Sequence, residues 1–73
     1  MSDFLQAVSE INKIDELLLQ QYQMKKITEN LEGALIEFKK FNHPEIQELH
    51  IGTADARKYA SVKVFEQVYK TFI

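Results

Sequence analysis

The apolar residues of this chain recur mostly at spacings of three and four, the period of an amphipathic helix. Phe4, Val8 and Ile11 open the pattern, with Leu5, Ala7 and Ile14 beside them. Leu17, Met24, Ile27, Leu31, Leu35 and Phe38 continue it, and Tyr59, Val62, Phe65, Val68, Tyr69 and Phe72 close it. Strict apolar/polar alternation is not evident, so the pattern predicts an all-α protein with helices at about 2–13, 15–41, 44–51 and 53–73.

Local signals refine these boundaries. Ser2 suits an N-cap, with Asp3 in the first turn. Asp15 suits a second cap, with Ile14 and Leu19 placed to form a hydrophobic staple around it. The stripe before Lys13 and the stripe after Met24 point in nearly opposite directions at 100° per residue. That offset fits a turn near Lys13–Asp15, or one helix to Phe41 whose halves meet different neighbours. Gly33 then falls inside the long helix, where it fits close approach of another helix. Pro44 disfavours helix at His43 and suits the first turn of a new, short helix. Gly52 is placed to end that helix in the left-handed conformation, and Thr53 to cap the last one, with Asp55 in its first turn. The β-formers of "SVKVFEQVYKTFI" leave a C-terminal strand as the alternative to helix there.

The expected architecture is an antiparallel hairpin of the long and C-terminal helices, closed at its ends by the shorter ones. With 73 residues and no cysteine, such a domain buries little and has no disulfide to help it. A core completed by oligomerisation is therefore expected.

The chemistry the sequence offers is sparse. Net charge is -2, from 11 acidic and 9 basic residues in mixed order, which provides no basic footprint for nucleic acid or anionic lipid. No apolar stretch reaches the length of a membrane span, and the N-terminus lacks the basic and apolar regions of a secretory signal, so a cytoplasmic setting is expected. His43 and His50 are seven residues apart, not at the i, i+4 spacing of a helical zinc site. No serine or threonine sits in a nucleophile-elbow motif, and the two glycines are too far apart for a phosphate loop. The expectation is a protein without catalytic residues, metal or cofactor.

What stands out is surplus apolar surface. Leu18, Tyr22, Phe65, Tyr69 and Phe72 form the candidate partner interface, and Ile36, Phe41, Val64 and Ile73 also lie off the inward stripes. Contiguous exposed apolar groups that include Tyr and Phe mark interfaces. The reading is a small regulator, adaptor or assembly chaperone acting by helix packing, in a homodimer or with a larger helical partner. The alternative is a helix-turn-helix-like DNA-binding regulator through residues 45–63, with Thr53, Arg57 and Lys58 at the N-terminus of a recognition helix.

Overall fold

The computed structural model describes residues 3–71. Its elements run α1 (Asp3–Leu19), β1 (Tyr22–Asn30), β2 (Gly33–Lys40), β3 (Ile46–Ile51) and α2 (Ala54–Thr71). The three strands form one antiparallel sheet in the order β1-β2-β3. The expected all-α bundle is thus corrected to an α/β fold, and the segments expected as helix over 15–41 and 44–51 contain strands.

The spacing of the apolar residues misleads for a geometric reason. Ile27, Leu31, Leu35 and Phe38 are helically spaced but lie on a hairpin. Ile27 and Phe38 face the core, exposed Leu31 sits in the turn, and Leu35 lies on the opposite sheet face, between Thr28 and His50. Alternation is present in β2, where Ala34, Ile36 and Phe38 are fully buried on one face. In β1 a bulge at Lys25 shifts the register between Met24 and Lys26, so inward Met24 and Ile27 are three apart rather than two.

The hairpin turn rests on two residues. Asn30 Oδ1 accepts a 2.8 Å hydrogen bond from the Glu32 amide, an Asx-type turn. Gly33 then takes φ +139°, a conformation that side chains disfavour. Gly33 is therefore a strand-entry residue, not a mid-helix contact.

α1 is continuous through Lys13–Asp15, so the chain does not turn there. Ile14 is fully buried, and Asp15 accepts a hydrogen bond from the Tyr59 hydroxyl instead of capping a helix. The helix ends at Gln20 and Gln21, where Gln21 adopts the left-handed conformation common just past a helix end. Gly52 has no positive φ and follows a strand, so its expected role as a helix terminator is also corrected. Thr53 does cap α2: its Oγ1 accepts from the Ala56 amide at 3.2 Å. Ser2 and Phe72 lie outside the described residues.

Both helices pack on the same sheet face. Ile14 of α1 and Ala56 and Ala60 of α2 join Met24, Ala34, Ile36, Phe38 and Ile51 in one core. The helices run parallel, not antiparallel, because Glu10 meets Thr53 while Asp15 meets Tyr59. The hydrogen bond to Asp15 and burial both hold the Tyr59 phenol above its ordinary pKa, so it stays a proton donor. Tyr59→Phe should therefore lower unfolding free energy by about 1–2 kcal/mol, between the values for a neutral bond and for a bond to a charged group, because the pair is only partly buried. Urea denaturation checks this, and an unchanged midpoint would show that the bond contributes nothing net.

Candidate functional site

Four faces of the molecule bear on function. The first is the outer side of α2. Its buried stripe is Ala56, Ala60 and half-buried Val64, spaced by four. At 100° per residue, Phe65 projects directly away from Ala56. Val62 and Tyr69 lie on the same outward side. Phe65 and Tyr69 are one helical turn apart, with stacked rings 6.1 Å between centroids. They remain 69% and 59% exposed. Beside Val62 a shallow groove of about 300 Å³ runs between the helices, lined by Ile11, Asp55, Lys58, Tyr59 and Val62. Its walls are almost wholly apolar, with Asp55 and Lys58 contributing charge at the rim.

The five residues expected to form one interface divide. Phe65 and Tyr69 are displayed together on α2. Leu18 and Tyr22 are half-buried against the core, and they line a different depression with Lys63, Glu66 and Gln67. They support the helix pair rather than offering contact area. Phe72 is outside the described residues. The sequence pattern did not identify Val62 as part of the outward group, because its spacing to Phe65 and Tyr69 reads equally well as a core stripe.

The second face is the start of α2. Residues 45–63 form strand, corner and helix, so they are not a helix-turn-helix. Thr53 is occupied in capping and in a 2.7 Å bond to Glu10. Arg57 is half-buried, and its Nε is enclosed without a hydrogen-bond partner. Lys58 is exposed at the groove rim. The three residues thus present no shared reading surface.

Beneath this corner lies Glu10, which sequence reasoning passed over. Its carboxylate accepts from the Gly52 amide at 2.7 Å, the Thr53 amide at 3.1 Å, the Thr53 hydroxyl at 2.7 Å and the Gln6 amide at 3.2 Å. Burial alone would raise its pKa, but these bonds outweigh that and hold it below the usual carboxylate value. The signal was a glutamate on the Ala7–Ile14 stripe. Such a residue must bring its own donors or be excluded from a core.

A third feature lies at the far end of the sheet. Gln21, Gln23, Lys25, Lys39, Lys40, Phe41 and Asn42 line an open depression of about 660 Å³. Lys40 Nζ is held 5.6 Å from the Tyr22 ring centroid and Lys25 donates to Gln23 at 3.4 Å. The depression is electropositive, but its amines sit on flexible surface stems, which fixes no geometry for one ligand. The fourth feature is the sheet's outer face, where His50 lies. His43 sits in the exposed connection before β3. Among the described residues, no three His, Asp or Glu side chains gather as a metal site, and no helix is long and apolar enough to cross a membrane.

The chain matches no protein-family model, no curated protein and no solved structure.

Proposed function

We propose that this chain is a non-enzymatic protein-binding module whose contact surface is the outward ridge of α2. The observation that carries the reading is the stacked Phe65–Tyr69 pair, held in order yet largely in water beside an apolar groove. Ordered aromatic area of this kind is what interface hot spots are made of. The partner's chemistry follows from the shape. A helix with an apolar stripe would lie along Val62, Phe65 and Tyr69 and place one side chain into the groove between Ile11 and Tyr59. Asp55 and Lys58 at the rim would fix direction through complementary charge. Regulator, adaptor and assembly chaperone are all roles such a surface serves. A cytoplasmic setting belongs to the same proposal, supported by the mixed surface charge and the lack of cysteine.

A photo-crosslinking residue placed at position 65 in the source cell tests the reading. A discrete adduct with one protein is expected, lost when Tyr69→Ser is added, and absent when the crosslinker is at exposed Glu29 instead. Equal labelling from positions 65 and 29 would sink it. Tyr69→Ser should leave helicity by circular dichroism nearly unchanged, because the ring is outside the core.

A further inference from the structure

The two edges of the sheet are finished differently. The β1 edge is closed by three devices that discourage another strand. Gln67 reaches down from α2 and pairs with the Met24 backbone, accepting from its N–H at 3.1 Å and donating to its carbonyl at 3.0 Å. The Lys25 bulge follows, and Lys25 and Lys26 leave the edge charged. Among the described residues no corresponding clamp meets β3. Ile46, Gln47, Glu48 and His50 are exposed, and Leu49 is only half-buried although it faces the helix side, opposite Ile36. The helix layer rests mainly over β1 and β2. β3 therefore offers free backbone groups and an incompletely covered leucine.

We infer that β3 pairs antiparallel with β3 of a second copy of this chain, joining two three-stranded sheets into one six-stranded sheet. A twofold axis perpendicular to the sheet keeps both helix layers on one side and requires that facing residues lie on the same sheet face. The axis must then lie midway between one residue of β3 and its own copy. Centred on Glu48, it would set two carboxylates against each other. Centred on Gln47, it would bring Pro44, which has no N–H, into the ladder. Centred on His50, it would oppose two imidazoles and leave Ile46 and Gln47 unpaired beyond Gly52. Centred on Leu49, it pairs Leu49 with its own copy and Glu48 with the second copy's His50, twice over.

The Leu49-centred register also answers a defect inside the chain. On the outer face Glu37 lies directly opposite Glu48, while Lys26 lies on the other side of Glu37. Like charges directly opposite are destabilising, and Glu48 has no cation across from it within its own sheet. His50 of the second copy brings an imidazole N–H to that carboxylate. The commitment to a second copy rests on this self-complementarity. An arbitrary extended peptide would satisfy the backbone but not both Glu48–His50 pairs and the leucine. The edge is separate from the α2 ridge, so the two readings fail independently.

Sedimentation velocity from low micromolar to submillimolar concentration should show a reversible monomer–dimer equilibrium, unchanged by Phe65→Ser. Glu48→Lys or His50→Glu alone should weaken dimerisation about tenfold, as two facing pairs are lost or made repulsive. Glu48→Lys combined with His50→Glu recreates two opposite-charge pairs and should restore it. Because the chain has no cysteine, single-cysteine variants map the register directly. Leu49→Cys should oxidise to a disulfide-linked dimer, and Gln47→Cys should not. A wild-type chain that stays monomeric throughout, a double variant as weak as the singles, or equal crosslinking at 47 and 49 would overturn the inference.

Discussion

Gly33→Ala is expected to destabilise this domain by about 3 kcal/mol or more. Two effects combine there. The residue's φ of +139° belongs to a region that an alanine enters only with strain. A Cβ would also lie 2.1 Å from the Ile51 carbonyl oxygen, 3.0 Å from the Gly52 Cα and 3.1 Å from the Ile51 carbonyl carbon. All three are backbone atoms, so no side chain can swing aside. The only relief is to separate β2 from β3 at the Ala34–Ile51 pair, beneath which both of those side chains are fully buried. Urea denaturation with the far-UV signal measures the loss. Gly52→Ala is the matched control: its Cβ would meet the mobile end of the Gln6 side chain at 3.2 Å, with Glu10 Oε2 and the Glu32 carbonyl at ordinary contact distances of 3.7 and 3.8 Å, and should cost less than about 1 kcal/mol. Equal losses at the two glycines would contradict the described turn. A domain of this size has roughly 4–10 kcal/mol in total, so the Gly33 variant should lose a third or more of it and unfold at a clearly lower urea concentration.

Glu10→Ala is expected to cost about 1–3 kcal/mol at neutral pH, because it removes the acceptor of the Gly52 and Thr53 donors at a partly buried corner. Its pH signature separates it from a packing defect. The folded protein holds the Glu10 carboxyl below its ordinary pKa, while the unfolded chain does not. The unfolded state thus binds the proton more readily in the acid range. The contribution of Glu10 is full above about pH 4.5 and is lost as pH falls through the lowered folded value. Glu10→Gln keeps the shape but cannot ionise. It should be less stable than the parent at pH 7, and the gap should narrow by pH 3. A gap that stays constant across this range would show that charge at Glu10 does not hold the corner.

The corner itself was legible, but its supports were not. Pro44, Gly52 and Thr53 mark a break between Phe41 and Tyr59, and the chain does reorganise there, from β2 through β3 into α2. Thr53 could be assigned as a cap because a cap needs only its own next turn. Glu10 could not be assigned, because its three firmest partners lie more than 40 residues away. The segment "PEIQELHI" reads as helix from Glu, Gln and Leu, yet Ile46–Ile51 is a strand. Pairing with β2 and burial of Ile51 override that local preference, as tertiary context commonly does. The Asn30–Gly33 turn was visible in principle. The helical spacing of Ile27, Leu31 and Leu35 through it masked the signal.

By itself, the sequence determined the features that need only neighbours along the chain. These are α2 with its threonine cap, the break at Pro44, and the display of Phe65 and Tyr69 on one helical face. Which face of α2 is inward was decided only by the fold. Counting apolar residues favours Val62, Phe65 and Tyr69 as the core stripe, since they are larger than Ala56 and Ala60. A helix laid close on a sheet and beside a second helix has little room beneath it, and small side chains let the backbones approach. Ala56 and Ala60 occupy that space, Phe38 and Ile36 fill it from the sheet side, and the aromatic ridge is turned outward.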